Sequence, residues 1–218
     1  MITLECASLK GFLDCASLAV SDGRVCAVLT ETEFEKNLLL RIFTGLTRLD
    51  SGKIFIFGKE VSSFSYSELN AARKRMGIVF NNGGLISNLK VWENIMLPLS
   101  YHSSLSHHDM DEKMINILGK IGYDDDVAVL PGPLPAYKKR LAGFARAMLM
   151  EPDLIIYDSV FEGLSPDIRS KVLETITVFH REKEGRASLF LDMGEWLLDY
   201  IRADGIYMLK KGKFYERN

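Results

Sequence analysis

Apolar and polar positions follow two different periods along this chain, and the two periods trade places repeatedly. Apolar runs near Ile2–Ser8, Ala16–Val20 and Val25–Leu29 predict three strands in the first third, with Asp22-Gly23 as a hairpin turn between the last two. Leu38, Leu39, Ile42 and Phe43 then recur at helical spacing. After Asp50-Ser51-Gly52, alternation over Lys53–Phe57 predicts a strand, closed by Gly58. Tyr66–Arg75 reads as a helix and Gly77–Phe80 as a short strand. From Leu89 to Met150 the period is helical, with helices over Val91–Leu97, Asp109–Ile121 and Leu141–Met150. Leu154–Asp158 is a buried-type strand, followed by a helix over Pro166–Lys183, a strand over Ser188–Asp192 and a helix over Trp196–Arg202. Ile206–Leu209 and Lys213–Tyr215 flank Lys211-Gly212 as a last hairpin. Strands alternating with helices predict an α/β fold with a mainly parallel sheet. The helical block between two strands predicts a subdomain over about 85–151, carried on a core of 1–84 and 152–218 within one domain, 1–218.

Composition narrows the class. The 218 residues are 47% hydrophobic, enough for one sizeable core. A net charge of −2 argues against bulk attraction to nucleic acid, so no nucleic-acid partner is expected. The longest apolar runs, Leu154–Tyr157 and Leu189–Leu191, are strand-sized and far short of a membrane span. The start, MITLECASL, lacks the basic-then-apolar order of a signal peptide. Cys6, Cys15 and Cys26 are odd in number and lack metal-site spacing; the expectation is reduced, partly buried thiols in a cytoplasm. His107-His108 lies in a polar stretch and is expected to be a solvated loop.

The informative chemistry lies in Val25–Leu46, VCAVLTETEFEKNLLLRIFTGL. Strand, short loop, Lys36 and helix follow in the order of a phosphate-binding loop. Such a loop needs glycines so that backbone N–H groups can curl round phosphates, and a Ser or Thr after the lysine to hold Mg²⁺. Here Thr30 and Glu35 stand at the glycine positions and Asn37 at the hydroxyl position. Glu31, Glu33 and Glu35 outweigh Lys36, and each carboxylate near a phosphate costs roughly 1–4 kcal/mol. Thr32-x-x-Glu35 also reads as a capping box before an apolar helix, with glutamates suited to the positive end of the helix dipole. Two readings stand: a vestigial phosphate loop and an ordinary capped helix.

With Lys36, the inserted helical block and LIIYD in this order, nearly the whole chain resembles the ATP-binding subunit of ABC transporters. MGIVFNNGGLISNLKVWENIMLPL is similar to the branch that transports phospholipid and serves bacterial outer-membrane lipid asymmetry. LAGFARAMLMEPDLIIYD looks like the family's helix leading into its Walker B strand. The resemblance implies a P-loop NTPase-like ABC ATPase fold, with antiparallel N-terminal strands and the helical subdomain. It places the Walker B aspartate, a Mg²⁺ holder, at Asp158. The catalytic glutamate falls on Ser159, a poor base, and the loss of a positioned base costs about 10²–10⁴-fold in rate. The Q-loop glutamine falls on Asn81, the switch histidine on Met193 and the D-loop aspartate on Ser165. The signature motif falls on Leu134, Pro135, Ala136, Tyr137 and Lys138, where Pro135 lacks a backbone donor and Tyr137 replaces a glycine. No aromatic stands clearly for adenine stacking; Phe12 reads as core.

In this family ATP lies between two subunits, and both halves of that composite site are altered here. The resemblance therefore implies a degenerate, non-hydrolysing structural or regulatory component of a membrane transport complex of lipid type, with no cofactor expected. Lys36, Asn37, Asn81 and Asp158 would be a vestigial nucleotide site. The alternative is a divergent but working subunit that binds ATP and Mg²⁺. Either way the implied partners are a membrane permease subunit and a second cassette, as homodimer or heterodimer. The permease would dock on Asn81–Leu99, at Asn81, Trp92 and Leu97. The implied location is cytoplasmic, peripheral to the inner or plasma membrane.

Overall fold

A computed structural model describes residues 1–102 and 105–217. Ten strands form two sheets among these residues. β1 (Ile2–Leu9), β2 (Leu13–Val20), β4 (Ser51–Ile56) and β5 (Lys59–Glu60) make an antiparallel sheet in the order β2-β1-β4-β5. β3 (Val25–Leu29), β6 (Met76–Val79), β7 (Leu154–Asp158), β8 (Ala187–Asp192), β9 (Gly205–Lys210) and β10 (Lys213–Arg217) make the second, in the order β10-β9-β3-β8-β7-β6. Its pairings are parallel except for the β9–β10 hairpin. Every residue of β7 and β8 is buried, because both faces of this sheet are covered, one by helices and the other by a helix with the antiparallel sheet.

Six helices accompany the sheets: α1 (Glu33–Phe43), α2 (Tyr66–Lys74), α3 (Val91–His102), α4 (His107–Lys120), α5 (Ala136–Met148) and α6 (Pro166–Arg181). They divide between two cores. One face of the six-stranded sheet packs on α3–α6, through Tyr157, Phe144, Phe161, Phe179 and Phe190. The other packs on α1 and the antiparallel sheet, through Leu39, Ile42, Phe43, Leu4 and Ile56. Phe12 joins this second core, as expected.

Four expectations need correction. Asp22-Gly23 does not close a hairpin: β2 pairs with β1, whereas β3 enters the other sheet between β8 and β9. A run as apolar as Val25–Leu29 is buried better at a sheet centre than on a two-stranded ribbon. Trp196–Arg202 does not form an α-helix; only a 3₁₀ turn, Glu195–Asp199, follows β8. His107 and His108 are exposed, but they open α4 behind the Ser106 capping box rather than lying in a loop. Cys6 and Cys15 are exposed and joined by a disulfide, because neighbouring strands bring them together; only Cys26 is a free, buried thiol among the described residues.

Candidate functional site

The site begins where β3 hands over to α1. Without glycine at position 30 or 35, the chain turns directly into the helix. Thr32, extended at φ −137° and ψ 153°, is the N-cap. Its Oγ1 accepts the Glu35 amide at 3.2 Å. Glu35 Oε2 reaches back to the amides of Glu31 at 2.9 Å and Thr32 at 3.0 Å. These amides belong to the group a phosphate would need, and a carboxylate of the same chain holds them. The local signal was legible, since the capping box is a four-residue pattern.

Behind this turn Lys36 is 1% exposed. Its Nζ lies 2.6 Å from Ser159 Oγ, 2.7 Å from Asp158 Oδ1 and 2.8 Å from Glu33 Oε2. The Asp158 contact is an ion pair by distance, without the alignment of a hydrogen bond. Burial opposes the ammonium charge, yet Asp158 and Glu33 more than offset it, and the Lys36 pKa lies above its ordinary value. Burial pushes the Asp158 pKa up, although Lys36 pulls the other way. The charged pair is the direction both geometry and Coulomb attraction favour. A lysine held charged cannot take a proton from Ser159, so the short Lys36–Ser159 contact is no nucleophile–base pair.

Asp192, at the end of β8, is a second buried carboxylate beside this cluster. It accepts the amides of Met193 at 2.8 Å and Gly194 at 3.2 Å, while burial raises its pKa. In the sequence Asp192 is only the last residue of a predicted strand, with no role attached. The signal was available: SLFLD ends an apolar run on Asp, as LIIYD does.

None of the other expected residues shares a hydrogen bond or ion pair with the Lys36 ammonium group. Asn37 donates to Glu33 Oε1 at 3.2 Å, on the exposed side of α1. The Asn81 side chain is 3.5 Å from Glu162 Oε2, and its carbonyl accepts from buried Arg140 at 2.6 Å. Arg140 also binds the carbonyls of Val160 and Glu162, so it ties the segment after β6 to the one after β7. Met193 is 40% exposed. Ser165 is the N-cap of α6, without a side-chain cap. Pro135 caps α5, again without a side-chain bond; Ala136, Tyr137 and Lys138 form its first turn, and Leu134 precedes them. Lys138 is drawn to Asp124 at 2.5 Å and Asp125 at 3.0 Å. Among the described residues no cluster of three or more His, Cys, Asp or Glu side chains has metal-holding geometry. Mg²⁺ fits the present arrangement poorly: Asp158 faces an ammonium group, and Asn37 is turned to Glu33.

A cavity of about 780 Å³ opens between α2, β6, α3 and α5, walled by Tyr66, Arg73, Phe80, Pro98, His102 and Arg146. Asn81, Trp92 and Leu97 are not in its wall; Trp92 is 38% exposed and Leu97 half-buried.

The architecture is that of an ATP-binding cassette. It superposes on a dimeric ATP-binding cassette solved in a post-hydrolysis state with ADP and Pi, with a TM-score of 0.87 at 19% identity, covering 100% of this chain and 98% of that one. A cassette of the cbiONQ ABC transporter complex from Clostridium perfringens gives 0.84 at 20% identity, covering 100% and 88%. The ABC transporter family model matches residues 13–162, and the chain belongs to that family. Methionine import ATP-binding protein MetN 2 of Pseudomonas entomophila is 27% identical over 207 residues, covering 94% of this chain and 61% of that protein. Intermembrane phospholipid transport system ATP-binding protein MlaF of Escherichia coli K12 is 32% identical over 153 residues, covering 70% and 57%. The chain spans only about half to three-fifths of the length of such relatives.

Proposed function

We propose that this chain is a non-hydrolysing member of the ABC transporter family, serving as a structural or regulatory component of a membrane transport complex of lipid type. The observation that carries the reading is the closed turn at Lys36. Glu35 occupies backbone amides, and Glu33 and Asp158 occupy the lysine that ATP phosphates would require. Ser159, Met193 and Pro135–Lys138 support it, because none supplies the base, the charged donor or the N–H cradle that hydrolysis needs. Lipid-type transport is supported by the likeness to MlaF over 153 residues. The helical block of about 85–151 is proposed to form a subdomain carried on the core of 1–84 and 152–218.

The partner is proposed to be a permease subunit, received on the Asn81–Leu99 side. An amphipathic helix needs only a few apolar anchors in a groove, and the neighbouring cavity offers Phe80 and Pro98. A second cassette, identical or not, is the other proposed partner. No helix among the described residues is long and apolar enough to cross a membrane. The membrane association proposed is peripheral, on the cytoplasmic side, and rests on the likeness to ATP-binding proteins of transport systems.

Calorimetry of the purified chain with MgATP tests the reading. The expected outcome is no saturable heat. Tight saturable binding together with a turnover near ~1 s⁻¹ that Lys36→Ala abolishes would overturn it. That result would establish the second reading, a working subunit in which ATP and Mg²⁺ displace Glu33 from Lys36. That MetN 2 and MlaF are ATP-binding proteins favours this alternative.

A further inference from the structure

The disulfide lies in the antiparallel sheet, away from the Lys36 cluster, and the backbone around it is specialised. Leu4↔Leu18 and Leu9↔Leu13 share one strand register, and only Ala7↔Ala16 between them departs from it. Two irregularities bracket that pair. At each, two neighbours in sequence face solvent, Glu5 with Cys6 on β1 and Asp14 with Cys15 on β2. Cys6 and Cys15 both adopt left-handed dihedrals, at φ 44° and 47°, uncommon for residues with a Cβ. Strict alternation would place Cys6 on the buried face with Ile2 and Leu4. The matched bulges turn both thiols outward instead.

Each bulge has a partner that fits it. The Cys6 amide donates to Ser17 Oγ and the Cys15 amide to Ser8 Oγ, both at 3.0 Å. Each cysteine is thus held by a serine of the opposite strand. On the third strand, Gly52 is left-handed at φ 79°, and a Cβ there would lie 2.1 Å from the Cys6 carbonyl oxygen. Only a glycine lets β4 pair alongside the Cys6 bulge.

We propose that Cys6–Cys15 is a reversible thiol–disulfide exchange site, open to dithiol and glutathione-class reductants. This rests on the cytoplasmic placement proposed above, since exposed disulfides in that compartment are transient or redox-sensing rather than permanent. In the reductive direction, a reductant thiolate attacks one of the two sulfurs and displaces the other as thiolate. The reductant's second thiol, or a second glutathione, then attacks the mixed disulfide. Two electrons pass to the chain, two protons end on Cys6 and Cys15, and the reductant leaves as a disulfide. Oxidised glutathione reverses the balance. With the bond open, nothing covalent holds the bulged register against the one its flanks share.

The test uses the purified full chain in glutathione buffers stepped from oxidising to reducing, quenched by alkylation and read by intact mass. Quenched after reduction, the native chain should carry two more alkyl groups than after oxidation, gained together across the series; chain reoxidised before the quench should carry neither, and Cys26→Ser should follow the same curve. Cys15→Ser should take up one glutathione at Cys6. Two alkylatable thiols at Cys6 and Cys15 in the most oxidising buffer would sink the proposal. So would a bond that survives both the most reducing buffer and dithiothreitol until the chain is unfolded. Neither outcome involves nucleotide, so this proposal and the reading of the Lys36 site fail separately.

Discussion

Lys36 Nζ and Asp158 Oδ1 lie 2.7 Å apart, one on the first helix and one at the end of β7, with 1% and 6% of their side chains exposed. Removing one member of such a pair leaves a charge in the interior, which costs about 3–5 kcal/mol. Lys36→Met should therefore lower the urea-unfolding free energy by that order at pH 7. Part of the loss should return on acidification, because the unpaired Asp158 takes a proton. In a working nucleotide site the same change would chiefly cost nucleotide affinity. In the native chain the Lys36 pKa is raised above 10.5, so its contribution is complete below that value and lost as pH climbs through the raised one.

Thr32→Ala removes the cap from α1 and should cost about 1 kcal/mol. The measurement is again denaturant unfolding. Thr32→Ser, which keeps the hydroxyl, should lie close to the native chain.

Asp192 is held by two amides but disfavoured as an anion by burial, and its pKa is raised from 3.8. The folded chain then binds this proton more readily than the unfolded chain does. Stability tied to Asp192 is greatest below pH 3.8 and falls as pH rises through the raised value. Asp192→Asn, whose amide oxygen can still accept from Met193 and Gly194, should raise Tm at pH 7, with the gain shrinking toward pH 4. An equal gain at both pH values would refute the assignment.

Ser159→Glu should not create an ATPase. Position 159 is 2% exposed and its native hydroxyl meets Lys36 Nζ, so a glutamate there should crowd the interior and pair with Lys36 rather than activate a water. Phosphate release should stay at background while Tm falls.

Gly143 of α5 meets the turn after β6, and a Cβ there would lie 2.4 Å from the Gly83 carbonyl oxygen. Gly143→Ala should cost about 1–3 kcal/mol, since backbone must move on one side. Gly132, where a Cβ meets nothing within 4 Å, is the control.

These residues also divide by how they could be known. β3, β7 and β8 are apolar runs bounded by polar turns, the Thr32–Glu35 cap spans four residues, and Lys211-Gly212 turns the last hairpin. All are short-range patterns, set by dihedral preference, burial period and amides that need a nearby acceptor. They were legible in the chain itself, as was the family. The partner of β3, the ion pair that joins Lys36 to Asp158, the closeness of Asp192 and the meeting of Cys6 with Cys15 were not. Each depends on strand order and register. An apolar strand satisfies its own pattern in either sheet, and a one-residue bulge reverses which side chains face out. Those choices are made by the packing of the whole molecule, where burying Val25–Leu29 between β8 and β9 outweighs the hairpin that Asp22-Gly23 would otherwise close.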